Sequence, residues 1–209
     1  NKQNKIYKFF VIIFIALIFI IIFFRQLNVR RKLIQLARTD SLTGLLNRNA
    51  LFEHGYAMVS NFNKVKVDLS VLLLDLDNFK KINDEYGHCI GDQLLQEVAV
   101  LVNEAMRSRD IFARLGGEEF VALLPYADNN KAKAIAQRIN DKVSQHRFSA
   151  VDINEKVTLS IGVATIEANI SFENVLHRAD LAMYQAKAQG KNRILSYQSI
   201  ATSQEKRAI

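Results

Sequence analysis

The pattern of hydrophobic and polar positions divides the chain into two regions. Sixteen apolar residues follow one another without interruption from Phe9 to Phe24. In a helix they would span roughly 24 Å, slightly less than the ~30 Å hydrocarbon core of a bilayer. A core helix of this length would show a polar stripe, and a cleaved signal peptide would be followed by small residues; neither pattern is present. Residues 6–24 therefore predict one transmembrane helix, preceded by a short flank at residues 1–5.

From Asp40 onward the pattern alternates between helical and strand-like segments. Leu69–Asp75 is apolar enough for a strand that is buried on both faces, and Ile111–Leu124 reads as a hairpin. The remaining predicted helices and strands are Asn47–Val59, Phe79–Tyr86, Asp92–Met106, Asn129–Val143 with Asp128 as N-cap, Lys156–Ile166, a helix capped by Ser171 that runs to Gln189, and Arg193–Tyr197. This order predicts an α/β sandwich with a mixed central sheet over residues 40–197, and a flexible tail at residues 198–209.

Charge is distributed unevenly between the two regions. Residues 1–38 contain eight Lys and Arg and no Asp or Glu, so the remainder holds 20 basic and 21 acidic residues. The globular region therefore has no basic excess for nucleic acid, and we expect no nucleic-acid partner. Arg25 and the run Arg30–Lys32 follow the apolar stretch, which favours a cytoplasmic position for the domain. The single cysteine, Cys89, suits a reducing compartment, so we predict an inner-membrane protein whose globular domain is cytoplasmic.

The segment at residues 25–39 joins the two regions. Leu27, Leu33, Ile34 and Leu36 recur at helical spacing, so the segment is expected to continue the membrane helix. It would then act either as a plain connector or as a two-helix coiled-coil stalk, and two heptads are too few to decide. Because residue 1 is Asn rather than Met, we expect that further sequence precedes it.

Candidate chemistry lies between two strand-like runs, in Gly116-Gly117-Glu118-Glu119. Two glycines favour a tight hairpin turn, and two adjacent carboxylates beside it repel each other unless a cation neutralises them. A plain polar hairpin tip is the alternative. Asp75 ends the first buried strand, so it would meet Glu118 if the hairpin pairs beside that strand, and two carboxylates suit Mg²⁺. Asp77 either shares a face with Asp75 or caps the helix that follows.

Several motifs in order add to this pair of carboxylates. They are Asp40-Ser-Leu-Thr-Gly-Leu-Leu-Asn-Arg48, the run from Asp75 to Asp92, Arg114-Leu-Gly-Gly-Glu-Glu-Phe120, Leu159-Ser-Ile-Gly-Val-Ala164, and the run from Ala179 to Arg193. With these motifs the chain resembles the GGDEF family of diguanylate cyclases, which join two GTP into cyclic di-GMP and release two pyrophosphates. The resemblance covers about residues 40–197.

The resemblance implies a metal site and a catalytic group. Asp75 and Glu118, with the carbonyl of Leu76, would hold two Mg²⁺ or Mn²⁺ ions in each active site. Glu118 would be the general base, Glu119 would support it, and Lys80 would assist catalysis by contacting the triphosphate. The motif has Glu at position 118 where the family name has Asp, which is a common variant.

The resemblance also implies the residues that bind GTP. Asn83 and Asp92 would read the guanine edge, and adenine would leave Asp92 unpaired. The phosphate contacts implied are the side chains of Lys80, Lys187 and Lys191 and the backbone amides at Asn78 and Phe79, with Gly116 and Gly117 allowing close approach of the nucleotide. Lys191 stands where the family usually has Arg, so its contact would be monodentate. For Lys187 and Lys191, compensation of a helix C-terminus is the alternative role.

A second site is implied by Arg107-Ser-Arg-Asp110, which matches the family's inhibitory Arg-x-x-Asp motif. Arg107, Asp110 and Arg138 would then bind the product cyclic di-GMP as a feedback inhibitor. A solvated helix end is the alternative. Because each active site holds one GTP, two domains must face each other, and we expect a homodimer in the membrane whose stalk sets the distance between them.

Two other functions compete with this interpretation. A catalytically inactive, membrane-anchored cyclic di-GMP receptor would use Arg107, Asp110 and Arg138 alone, but such proteins usually lose a metal or hairpin residue. A cyclase or palm-like polymerase acting on ATP is disfavoured by Asp92. The input signal and the resting oligomeric state are not legible in the sequence.

Overall fold

A computed structural model describes residues 2–36, 38–149 and 156–200 of the chain. It divides into two compact units, Asn1–Arg38 and Thr39–Ile209. The first unit contains one helix, α1 (Lys2–Leu36). Its segment Phe10–Arg30 is long and apolar enough to cross a membrane. The predicted tail lies outside the described residues from 201 onward.

In the described residues, the second unit contains five helices of eight residues or more and five strands, and residues 197–200 add one helical turn. Asp128 and Ser171 cap α5 and α6 as predicted, since their side chains accept bonds from the amides of Lys131 and Asn174. The elements are α2 (Arg48–Val65), β1 (Leu69–Leu76), α3 (Phe79–Tyr86), α4 (His88–Ala105), β2 (Ile111–Gly116), β3 (Glu119–Pro125), α5 (Asn129–Gln145), β4 (Leu159–Thr165), α6 (Phe172–Ala188) and β5 (Arg193–Ser196). The predicted order of helices and strands in this unit is confirmed.

The five strands form one mixed sheet in the order β2-β3-β1-β4-β5. β1 lies at the centre and pairs antiparallel with both β3 and β4, β2 pairs antiparallel with β3, and β4 pairs parallel with β5. The predicted fold class, an α/β sandwich around a mixed sheet, is confirmed.

Every residue of β1 is buried, because helices cover both faces of the sheet. Leu72, Leu74 and Leu76 belong to a core shared with α4 and α5. Val71 and Leu73 belong to a second core shared with α2 and α6. Side chains alternate along a strand, so Asp75 lies on the second face, towards α6.

Two helix boundaries differ from the prediction by about four residues or more. α2 continues to Val65 instead of ending at Val59, and it stops where Lys66 adopts φ 55°. Phe62 is partly buried against the core, so packing extends the helix beyond the predicted end. α4 begins at His88 rather than Asp92, because Gly87 at φ 84° both ends α3 and begins α4.

Candidate active site

The turn between β2 and β3 has the two-residue form typical of a tight hairpin, with Gly117 and Glu118 between the strands. Gly116 has φ 151° and Gly117 has φ 53°, a backbone that favours glycine. A Cβ at either residue would meet no atom within 4 Å. Conformation rather than crowding therefore requires glycine here, and the space above the hairpin backbone is open.

Sheet pairing brings the carboxylates to one edge. Asp75 of β1 lies opposite Glu119 of β3 on one side and opposite Ser160 of β4 on the other. The amide of Leu76 donates a 3.4 Å hydrogen bond to the carbonyl of Glu118. Asp75 is only 3% exposed, whereas Glu118 and Glu119 are half-buried at the hairpin. The pairing of β1 with β3, on which the predicted meeting of Asp75 and Glu118 depended, is present.

Burial raises the pKa of all three carboxyl groups, and the charge of a neighbouring carboxylate, Asp77 in the case of Asp75, raises each pKa further. Burial is the main cause at Asp75, where the nearby ammonium of Lys187 opposes it. At Glu118 and Glu119 burial again comes first, and the charge of Asp75 raises each pKa further. The site without ligands thus holds more negative charge than its surroundings favour, and a bound cation would relieve that repulsion.

Lys187, near the end of α6, gives the site its one direct ion pair with Asp75 among the described residues. Its Nζ lies 2.7 Å from Oδ2 of Asp75. The other oxygen, Oδ1, is buried and accepts no hydrogen bond from any described group. A buried carboxylate oxygen with a free lone pair fits a divalent cation.

The protein side chains alone provide an incomplete ligand set. The described residues contain no cluster of three or more His, Cys, Asp or Glu side chains arranged for a metal. Mg²⁺ commonly takes one or two carboxylates and completes its shell with water and substrate phosphate. The residues present fit such a shared site.

The start of α3 is a candidate phosphate-binding position, because the first backbone amides of a helix have no partner within the helix. Asn78 precedes the helix with φ 61°, and its side chain makes no cap bond to the helix. Instead its Oδ1 accepts a hydrogen bond from Nζ of Lys191. Phe79 is buried and anchors the helix, while Lys80 is exposed on its first turn. The structure thus places Asn78, Lys80 and Lys191 around one helix start.

Asp77 does not cap α3, so the prediction that it would cap the helix that follows it is wrong. Its carboxylate accepts hydrogen bonds from the hydroxyls of Thr158 and Ser160, each at 2.6 Å, and from the amide of Asn192 at 2.9 Å. It is 4% exposed. Asp77 is therefore engaged by three protein groups outside α3, and the N-cap position of α3 belongs to Asn78.

Asn83 and Asp92 lie on neighbouring helices. Asn83 is on α3, and its Oδ1 is buried without a hydrogen-bond partner. Gly91 of α4 packs against it so closely that a Cβ there would lie 1.9 Å from that oxygen. Asp92, the next residue, is exposed. Close helix packing at Gly91 therefore sets Asn83 beside the N-terminal part of α4, where Asp92 lies.

Arg107 and Asp110 form a tight turn after α4. The amide of Arg107 donates to Oδ2 of Asp110 at 2.9 Å, and the amide of Asp110 donates to the carbonyl of Arg107 at 3.0 Å. Nε of Arg138, on α5, donates a 2.8 Å bond to the carbonyl of Ala105. The structure thus brings Arg138 to the end of α4, close to the turn that carries the other two residues.

A further link to the hairpin was not predicted. Arg114 donates from Nε and Nη2 to the carbonyl of Gly117, at 3.0 and 2.7 Å, and from Nη1 to Asp40 at 3.1 Å. Asp40 also accepts bonds from the amide and hydroxyl of Thr43. These bonds lower the pKa of Asp40 in spite of its partial burial. Asp40 and Thr43 belong to the motif at residues 40–48, and Arg114 and Gly117 belong to the motif at residues 114–120. The sequence alone gave no sign that the two motifs contact each other.

Comparison with known proteins agrees with this geometry. Residues 37–193 match the family model described as diguanylate cyclase, GGDEF domain. The probable diguanylate cyclase DgcT of Escherichia coli is 36% identical over 184 residues, which cover 87% of this chain and 40% of that protein. The GGDEF domain of DgcB from Caulobacter crescentus, solved in complex with c-di-GMP, has a TM-score of 0.74 at 31% identity, covering 78% of this chain and 96% of that one.

A third relative carries the same hairpin variant in its name. The active GGEEF domain of a diguanylate cyclase from Vibrio cholerae has a TM-score of 0.69 at 32% identity, covering 73% of this chain and 97% of that one. The chain spans less than half the length of the curated relatives it matches. The family model covers most of the chain, and the chain therefore belongs to the GGDEF diguanylate cyclase domain family.

Proposed function

We propose that this protein is a diguanylate cyclase that condenses two GTP into cyclic di-GMP and two pyrophosphates. The observation that carries the proposal is the buried Asp75, which is paired across the sheet with Glu119, lies beside the Gly117-Glu118 turn and keeps Oδ1 free. A metal-dependent nucleotidyl transfer requires such carboxylates at the edge of an open site.

Two divalent cations, Mg²⁺ or Mn²⁺, held by Asp75, Glu118 and the carbonyl of Leu76, would supply Lewis-acid activation and charge neutralisation. Glu118 accepts the proton as the 3′-hydroxyl of one GTP attacks the α-phosphate of the other. A phosphoester bond forms, the bond to the β-phosphate breaks, and pyrophosphate leaves.

Lysines hold the triphosphate in this proposal. Lys187, which pairs with Asp75 in the structure, would contact a phosphate oxygen when Asp75 holds a cation. Lys191 and Lys80 flank the start of α3, where the backbone amides at Asn78 and Phe79 would bind phosphate oxygens.

Guanine is read at the packed junction of α3 and α4. The side chain of Asn83, which offers both a donor and an acceptor, contacts the guanine edge, and the exposed Asp92 accepts from its N1–H and 2-amino group. An adenine would leave Asp92 without donors, which disfavours it by roughly 10²–10⁴-fold by analogy with other polar pockets.

Two such sites must meet head to tail, so the active state is a homodimer. The segment Phe10–Arg30 would anchor both chains in the inner membrane, and the basic residues after the apolar run favour a cytoplasmic catalytic domain. The Arg107–Asp110 turn and Arg138 would bind cyclic di-GMP and inhibit synthesis. A GGDEF domain relative solved with c-di-GMP bound supports this binding.

The test is pyrophosphate release by the full chain in nanodiscs. We expect release from GTP that requires Mg²⁺ or Mn²⁺ and that ATP does not replace. Glu118→Gln should reduce the rate by at least about 10²-fold. Glu85→Gln, an exposed residue on α3, serves as the matched control and should match the parent. Equal release by the parent and Glu118→Gln would contradict the proposed chemistry.

A further inference from the structure

Asp77 is a buried carboxylate that the proposed reaction does not use. Its oxygens accept three hydrogen bonds, from Thr158, Ser160 and the amide of Asn192, and its own amide donates to the carbonyl of Thr158 at 2.9 Å. A carboxylate offers about four lone-pair sites, so these partners nearly saturate it. Asp77 is thus engaged in holding protein groups rather than awaiting a ligand.

The bond to Asn192 reaches an unusual turn after α6. Lys191 and Asn192 have φ of 62° and 45°, two consecutive non-glycine residues in the left-handed region. Such a conformation is strained for residues that carry a Cβ, so the turn persists only if neighbours fix it.

Neighbours fix this turn from several directions. The amide of Lys191 donates to the carbonyl of Ala186 at 3.1 Å, and Nε of Arg193 donates to the carbonyl of Lys191 at 3.0 Å. The side chain of Asn140 donates to Oδ1 of Asn192 at 3.1 Å. Asp77 provides the charged acceptor of this set and Arg193 the charged donor, and charge-assisted bonds are roughly twice as strong as neutral ones.

The turn carries the ammonium of Lys191 back to Asn78, the residue that follows Asp77. Lys191 Nζ donates to Oδ1 of Asn78, which stands at the left-handed start of α3. Asp77 is therefore joined to both ends of this contact, to Asn78 through the chain and to Asn192 through a hydrogen bond. A lysine is a point charge on a flexible stem, so the backbone from which it extends largely decides where its charge lies.

We propose that Asp77 is a positioning residue that fixes the ammonium of Lys191 at the phosphate-binding start of α3. The inference rests on the proposed function, since it takes GTP phosphates as the group that Lys191 meets. Asp77 touches neither substrate nor cation, and it acts through Asn192 on the affinity for the triphosphate.

The experiment is a double-mutant cycle on the full chain in nanodiscs, with the non-reactive analogue α,β-methylene-GTP and Mg²⁺ as the probe. Asp77→Asn keeps the shape and removes the charge, and we expect it to weaken binding about tenfold. Lys191→Met should weaken binding by a similar factor. In the Lys191→Met background, Asp77→Asn should change affinity less than twofold, because the group it positions is gone.

A purely architectural role for Asp77 predicts a different result. Asp77→Asn would then weaken binding by the same factor with or without Lys191, and that outcome would overturn the inference, as would affinity within twofold of the parent. In steady-state synthesis the inference predicts a raised KM for GTP with kcat within about twofold. If Asp77→Asn does not fold, Thr158→Val removes one of the two bonds to Oδ2 and should give a smaller loss that also vanishes with Lys191→Met.

Binding of the analogue by the parent protein distinguishes a failure of the proposed function from a failure of the proposed role of Asp77. If the parent binds the analogue and Lys191→Met weakens it, but Asp77→Asn does not, only the role of Asp77 is wrong. If the parent does not bind the analogue at all, the proposed function and this inference fall together.

Discussion

Gly162 of β4 sets the distance between the sheet and α6, the helix that carries Lys187. A Cβ at this residue would lie 1.9 Å from the carbonyl oxygen of Ala179 and 2.5 Å from the amide nitrogen of Met183. Both are helix backbone atoms, so no side chain can rotate away. Since ordinary contacts begin near 3.5 Å, Gly162→Ala has to push α6 outward by roughly 1–1.5 Å.

This displacement has two measurable consequences. Overpacking of this kind costs about 1–3 kcal/mol, which in a domain of this size lowers Tm by roughly 2–12 °C. The ammonium of Lys187 moves with α6, and a misplacement near 1 Å at a reacting centre lowers rates by up to about 10²-fold. We therefore expect Gly162→Ala to fold, to melt earlier, and to lose at least about tenfold in kcat/KM for GTP.

The assay pairs thermal unfolding, followed by circular dichroism, with cyclic di-GMP synthesis well below Tm. Gly55→Ala is the matched control, because its Cβ would lie 2.5 Å from the ring of Phe172 at the opposite end of α6. That end is about 22 Å from Lys187 along the helix. The control should change stability with little effect on kcat/KM. Parental Tm and kcat/KM in Gly162→Ala would refute the reasoning.

Three further predictions follow from the site. Lys187→Met leaves the buried Asp75 without its ion pair, so the protein should lose stability at neutral pH and recover part of it as falling pH protonates Asp75, seen as Tm against pH. Glu118→Gln should raise the Tm of the metal-free protein at pH 7. The pKa of Glu118 is raised, so its ionised carboxylate destabilises the fold and stability falls as pH rises through that pKa. Because a cation binds the ionised form, the affinity of the parent for Mn²⁺ should strengthen as pH rises. Arg114→Gln loses its charged bonds to Asp40 and should lower the free energy of unfolding in urea by about 1.5–3 kcal/mol. An unchanged value would show that the link to Asp40 does not stabilise the fold.

Much of the fold was predictable because its signals are local. A few neighbouring residues are enough to predict several features. These are the buried strand β1, the hairpin with its two glycines, and the helix caps at Asp128 and Ser171. The sequence predicted that Asp75 would lie near the hairpin only if the hairpin paired with β1, and it did not show which strands pair. The order β2-β3-β1-β4-β5 meets that condition.

The parts that were missed depend on contacts between distant segments. Asp77 looked like a helix cap because a helix begins two residues later, but its partners lie 81 to 115 residues further along the chain. Arg114 and Asp40 are likewise 74 residues apart. The left-handed conformation of Lys191 has no sequence signature, because lysine does not favour it and the surroundings impose it.

Mass spectrometry of the nucleotide product tests the proposed reaction most directly. The full chain in nanodiscs would be incubated with GTP and Mg²⁺, alongside Glu118→Gln and the Glu85→Gln control. We predict cyclic di-GMP and two pyrophosphates per product from the parent and the control, and at least a hundredfold less from Glu118→Gln. If the parent makes no cyclic di-GMP but binds it tightly, the protein is a receptor, and the carboxylates at Asp75 and Glu118 do not form a catalytic site.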